Sequence, residues 1–111
     1  MIYKKYTLSN LKMQKLIKKQ GIIAYAIYCY LQELIYKNNC KLLLNETTKK
    51  AICSDMQIDN NSFDLILEEI IFLKILKKIV VEETNEIYLV HFFYDSTDEK
   101  KTIKKENLNN A

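Results

Sequence analysis

Turn-forming residues are almost missing from this chain, because proline is absent and glycine occurs once, at Gly21. β-Sandwiches and barrels need many tight turns, which are usually built from glycine and proline. The chain has 111 residues and is 49% hydrophobic, which is enough for one small domain with a buried core. The scarcity of turn residues therefore favours helices. A single glycine also excludes both glycine-rich phosphate loops, since each needs at least two glycines.

The residues that usually carry catalysis or bind metals are few. The chain has one histidine, His91, and three cysteines, Cys29, Cys40 and Cys53, with no close cysteine pair. We therefore expect no enzyme, no cofactor and no metal site. Unpaired cysteines favour a reducing compartment, and the apolar run over residues 21–31 is too short to cross a bilayer. The sequence predicts a cytoplasmic protein without membrane contact.

Charge is distributed unevenly along the chain. The net charge is +3, yet residues 1–20 hold six lysines and no acid, whereas residues 61–94 hold three lysines and six acids. A basic segment suits phosphate or another polyanion. The alternative is an ordinary solvated face whose lysine content reflects an AT-rich coding sequence. The sequence leaves both interpretations open.

Helical periodicity is clear in the first third of the chain. Ser9 or Asn10 can cap a first helix, and Gly21 can end it because glycine adopts positive φ. A second helix is predicted over residues 22–36. That helix is apolar on nearly all sides, so it is either central or has one face covered by a partner.

The remaining elements are shorter. A strand is predicted over residues 41–44, a third helix from Asn45 or Thr47 to Asp55, and a fourth helix over residues 62–73. Two β-rich runs at 76–83 and 86–93, joined by the turn Thr84-Asn85, are predicted to form a hairpin. His91 alternates with large apolar residues there and is expected to be packed or at the edge of the sheet. We predict one domain over residues 1–94 and a charged, flexible tail over 95–111.

This order of elements is typical of a winged helix-turn-helix. The predicted class is α+β, mainly α, with four helices, a short strand and a C-terminal β-hairpin wing. In such folds the second helix of the pair enters the major groove and the hairpin touches the DNA backbone or the minor groove. The pattern places residues 47–55 and the fourth helix as that pair, with the wing over residues 77–93.

The first two predicted helices also resemble a known family. The positions that carry the resemblance are Lys12-Met13, Leu16, Gly21, Tyr25, Ile27-Tyr28, Leu31 and Glu33-Leu34. They are similar to the opening of the DnaD-like N-terminal winged-helix domains of phage and plasmid replisome organisers. A departure is Lys74, where that pattern has glycine after the fourth helix. The resemblance implies DNA binding, self-association or both, in replication initiation, segregation or transcription control.

The predicted DNA contacts come from the helix pair and the wing. The first turn of the fourth helix can read base edges or donate to phosphate, although simple capping is an alternative. Lysine pairs on the third helix and at the wing root can contact phosphate, as can the lysines of the first helix, Lys12, Lys15, Lys18 and Lys19. If six of these lysines are engaged, the expected log–log salt slope is about −5, and ordinary surface lysines are the alternative. The set is Lys49, Lys50, Asn60, Asn61, Ser62, Lys77 and Lys78. The expected partner is double-stranded DNA, with AT-rich sites as a candidate.

Two further surfaces are predicted to bind protein. Tyr30 and Tyr36 are expected at the edge of a homodimer interface on the second helix. Asp64, Glu68 and Glu69 lie on the outer side of the fourth helix, where carboxylates oppose DNA binding. The alternative function is therefore a protein-binding winged helix that inhibits or recruits a host nucleic-acid-binding protein, for example in anti-defence, through this acidic face.

Overall fold

A computed structural model describes residues 6–93, and the predicted tail over 95–111 lies outside the described residues. The elements are α1 (Leu11–Gln20), α2 (Ile22–Lys37), β1 (Leu42–Leu43), α3 (Glu46–Met56), α4 (Asn60–Phe72), β2 (Leu76–Val81) and β3 (Glu86–His91). The four helices and the three-stranded sheet confirm the α+β, winged-helix-like architecture. None of the described helices is long and apolar enough to cross a membrane.

Local sequence explains where the helices begin and end. The side chains of Asn10, Asn45 and Asp59 cap α1, α3 and α4 by accepting a backbone N–H from the first turn. Gly21, at φ 87°, ends α1 and begins α2 as a joint of one residue. The predicted start of α4 at Ser62 is therefore two residues late, because Asp59 is the cap.

The core lies where α2 meets the other helices and one face of the sheet. Apolar side chains at helical spacing give each helix a buried side. The fully buried residues include Met13, Leu16, Ala24, Ile27, Tyr28, Leu31, Phe63, Ile70, Ile75, Leu76 and Leu89. His91 is also buried, with its ring stacked on Tyr6 at a centroid distance of 6.1 Å, so the expectation of a packed histidine is confirmed.

The sheet is antiparallel, and its register decides which way each side chain points. The strand order is β1-β3-β2, with Leu42 and Lys78 both opposite Leu89, and Lys77 opposite Val90. Directly opposed residues lie on the same face. Leu42 and Leu89 belong to the main core, whereas Val90 packs in a separate small cluster. Lys78 therefore lies on the helix side of the sheet and Lys77 on the other side.

Candidate nucleic-acid interface

A cleft between α3, α4 and β2 brings together several of the predicted DNA-binding residues. Lys49 and Lys78 line this cleft together with Asp64. Asn60 lies one turn before Asp64 on the same side of α4, because residues four apart on a helix share a face. Three of the predicted contacts thus meet beside the exposed part of α4. We call this the sheet-side cleft.

Lys49 is paired with a carboxylate inside this cleft. Its Nζ lies 2.8 Å from Oδ1 and 2.9 Å from Oδ2 of Asp64. The hydrogen bond to Asp64 raises the pKa of Lys49. The Lys49 side chain keeps 19% of its surface exposed, against 52% for Asp64. A phosphate that approaches Lys49 must therefore compete with a partner that is already in place.

The N-terminus of α4 already holds an anion. Asp59 accepts the backbone N–H of Ser62 at 3.2 Å and the Ser62 hydroxyl at 2.6 Å. These two hydrogen bonds hold the pKa of Asp59 below its usual range. The hydroxyl of Ser62 is thus engaged in capping the helix, which is the alternative that the sequence left open for it. Asn60 and Asn61 are exposed in the first turn.

Within each predicted lysine pair, the two side chains differ in burial or in the face that they occupy. Lys50 is exposed on α3, next to the half-buried Lys49. Lys77 and Lys78 point to opposite faces of the sheet because they are neighbours on one strand. Lys77 is therefore the one predicted DNA contact that lies away from α3 and α4.

The wing tip is acidic. The loop over residues 82–85 is exposed and begins with Glu82 and Glu83. Glu86 follows at the start of β3, where its carboxylate accepts the Tyr88 hydroxyl at 3.4 Å. No lysine or arginine occurs over residues 79–93. Phosphate would be repelled at this tip, so the wing is suited to contact DNA at its root through Lys78 rather than at its end.

Two of the three carboxylates of α4 are paired with lysines, so the three do not form one free acidic face. Asp64 is paired with Lys49, and Glu69 is 12% exposed and bonded to Lys19 at 3.0 Å. Glu68 is exposed and forms no ion pair with any residue of 6–93. Two of the three predicted partner-binding acids are thus engaged within the chain, each with a lysine from another helix.

The sequence analysis missed an apolar surface on α4. Leu65 is 56% exposed and Phe72 is 75% exposed, and they lie before and after Glu68 on the outward side of α4, opposite its buried residues. The helical spacing of the sequence could have revealed this surface. Residues 65 and 72 are two helical turns apart and lie off the buried face formed by Phe63, Ile66 and Ile70.

The two tyrosines predicted at a dimer interface do not share a face. They are six residues apart, which separates them by about 240° around a helix. The Tyr30 hydroxyl donates to the Asp55 carboxylate, which ties α2 to α3 and raises the pKa of Tyr30. Tyr36 is 48% exposed near the end of α2. Within residues 6–93, no group of three histidine, cysteine or acidic side chains is placed to hold a metal ion.

Comparison with known proteins gives a family match. A family model described as Lin1244/Lin1753-like, N-terminal, matches residues 4–87. This range covers every helix and reaches the start of β3. No curated protein and no solved structure matches the chain.

Proposed function

We propose that this chain, which belongs to the Lin1244/Lin1753-like N-terminal family, is a winged-helix protein that binds double-stranded DNA. The observation that carries the proposal is the sheet-side cleft. There Lys49 and Lys78 approach α4, the second helix of the helix-turn-helix pair, on the side that carries Asn60. Lysines beside such a helix are suited to hold the phosphate backbone while side chains of its first turn reach base edges.

Binding in this mode uses the root of the wing and the start of α4. Lys78 and Lys50 contact phosphate, and Lys49 exchanges Asp64 for phosphate on binding. Asn60 and Asn61 are the candidates for base contact, because the amide group can both donate and accept. The acidic loop over residues 82–85 stays off the duplex.

The cellular role is a further part of this proposal. We infer action in replication initiation, segregation or transcription control of a phage or plasmid, in the cytoplasm where such DNA is found. The similarity of α1 and α2 to DnaD-like domains supports replication initiation among these roles. Replication initiation stays a prediction, because the family match does not address it. The fold itself hosts many functions.

Fluorescence anisotropy on an AT-rich duplex at low salt tests the proposal. Lys78→Ala is expected to weaken binding and to make the log–log salt slope about one unit shallower, because one phosphate contact is lost. Lys77→Ala is the matched control, since it removes the same charge from the other face of the same strand. Asp64→Asn is expected to tighten binding by leaving Lys49 without its carboxylate.

Two results would contradict DNA binding at this cleft. One is the absence of binding by the full chain at low salt. The other is an equal loss of affinity in Lys77→Ala and Lys78→Ala, which would indicate a nonspecific charge effect.

The alternative, docking of a basic host protein on α4, stays a prediction. Its predicted contacts were Asp64, Glu68 and Glu69, and only Glu68 is exposed without an ion pair to the described residues. A host-protein interface on this helix would therefore rest on Glu68 and its apolar neighbours rather than on three carboxylates.

A further inference from the structure

A shallow depression lies on the side of α4 opposite the sheet-side cleft. It forms where the end of α1, the start of α2 and the turn before α4 meet the first half of α4. Its lining includes Gln20, Ile23, Gln57, Ser62 and Leu65, and none of the residues that line it is charged. We call it the turn-side depression.

The turn-side depression and the sheet-side cleft lie at the same level of α4. Ser62 lines the depression and Asp64 lines the cleft. These two residues are separated by about 200° around the helix and by about 3 Å along it. Asn61 is exposed between them, because it lies about 100° from Ser62 and about 60° from Asp64. This candidate for base contact is therefore flanked by a concave surface on each side.

A helix that enters the major groove meets both strands of the duplex. The groove is about 12 Å wide, and an α-helix with its side chains is about 10–12 Å across. The backbone of one strand therefore runs along each side of the helix. Lys49 and Lys78 line the side of α4 that faces the sheet. The turn-side depression is then the surface that meets the opposite strand.

The turn-side depression offers hydrogen-bond donors and no negative charge. Gln57 is exposed and Gln20 is half-buried, and neither side chain forms a hydrogen bond with another residue of 6–93. Each amide group carries two N–H donors that can bind a phosphate oxygen. Farther along α4, the next depression is lined by Glu68 and Glu69, which repel phosphate. A phosphate group is thus accommodated beside the first half of α4 and disfavoured beyond it.

We propose that the turn-side depression holds a phosphate of the second DNA strand through the side-chain amides of Gln57 and Gln20. This inference rests on the proposed DNA binding and extends it from one strand to both. The duplex is held by lysines on one side of α4 and by neutral amides on the other. Counterion release depends on the charges that a protein brings to the phosphates, so the glutamines add affinity without steepening the salt dependence.

Fluorescence anisotropy of the full chain on an AT-rich duplex, at several salt concentrations, tests the proposal. Gln57→Ala and Gln20→Ala are each expected to weaken binding about three- to tenfold through the loss of a hydrogen bond. The log–log salt slope is expected to stay unchanged, because neither variant removes a charge. Gln57→Lys places a positive charge beside the same phosphate and is expected to make the slope about one unit steeper.

Gln14 provides matched controls for both kinds of variant. It is exposed on α1, six residues before Gln20 and thus about 9 Å farther along the helix. Gln14→Ala and Gln14→Lys are therefore expected to bind with nearly the affinity and the slope of the unmodified chain. Circular dichroism of each variant checks that it is folded.

The possible results separate this inference from the proposed function. Weaker binding by Lys78→Ala, together with unchanged binding by all three variants at Gln57 and Gln20, would overturn the inference and leave DNA binding at the sheet-side cleft intact. Equal steepening of the slope by Gln14→Lys and Gln57→Lys would also overturn it, because the added charge would then act without a local contact. The absence of binding by the unmodified chain at low salt would overturn both.

Discussion

Three helices of this chain are followed by residues whose backbone adopts the left-handed conformation that glycine usually occupies. Asn39, Gln57 and Lys74 follow α2, α3 and α4 with φ of 59°, 54° and 61°. After each of them the chain closes the helix with a six-residue backbone hydrogen bond, such as that from the Ile75 N–H to the Ile70 carbonyl at 3.1 Å. With one glycine in the chain, the left-handed positions must be filled by other residues, and this costs about 1–2 kcal/mol for a residue with a Cβ.

Lys74→Gly is therefore expected to stabilise the protein. Removing the Cβ relieves the left-handed strain, while the greater freedom of glycine in the unfolded chain offsets part of that gain. We expect the free energy of unfolding to rise by about 0.5–1 kcal/mol, measured by urea denaturation. Lys50→Gly is the matched control, because it lies within α3, where glycine is expected to cost about 1 kcal/mol. A lower urea midpoint for Lys74→Gly would contradict this account.

At the scale of elements, residues 6–10, which precede α1, are anchored to α2 by a contact between two tyrosines. The Tyr6 N–H donates to the Tyr28 hydroxyl oxygen at 2.9 Å, and the two rings meet edge to face with centroids 6.1 Å apart. Tyr28 is fully buried. Burial raises the pKa of Tyr28 to about 12, and the Tyr6 N–H opposes that rise. The neutral phenol is thus part of the folded state.

Tyr28→Phe is expected to lower the free energy of unfolding by about 1–2 kcal/mol near neutral pH, because the Tyr6 N–H loses its acceptor. The raised pKa also predicts a pH dependence. The folded state holds the phenolic proton more tightly than the unfolded state, so this stabilisation is complete below pH of about 10 and is lost as pH rises towards about 12. The difference between the unmodified chain and Tyr28→Phe should therefore shrink at alkaline pH in urea denaturation. A constant difference would argue against a buried phenol.

The sequence predicts the elements better than it predicts the site, for a physical reason. Helix caps and the hairpin depend on neighbours within a few residues, so Asn10, Asn45 and the paired strands are confirmed. The start of α4 was misplaced because Asp59 and Ser62 are equally good caps when the sequence is read alone. Which lysine lies on the helix side of the sheet depends on strand register, and which lysine is neutralised depends on packing between helices. The Lys19–Glu69 and Lys49–Asp64 pairs could not be found from local patterns.

For the whole molecule, the distribution of lysines limits the salt dependence that the proposed DNA binding can show. The sequence suggested that about six lysines contact DNA. In the structure, the candidate lysines lie in separate places, which are α1, α3 with the sheet-side cleft, and the outer face of the sheet. With Lys49, Lys50 and Lys78 engaged, the log–log slope of the association constant against salt is expected to be about −3. Anisotropy titrations at several salt concentrations measure it. A slope near −5 would instead implicate the lysines of α1 as further phosphate contacts.

The one-residue joint at Gly21 bears on how two copies could associate. The Gly21 N–H donates to the Ile17 carbonyl and the Ala24 N–H donates to the Gly21 carbonyl, so both helices continue up to this residue. Met13 and Leu16 bury α1 in the core of its own chain. Domain swapping requires a hinge loop that can extend, and no such loop separates α1 from α2. An exchange of α1 between copies would therefore have to unwind part of a helix, so α1 is expected to stay packed within its own chain.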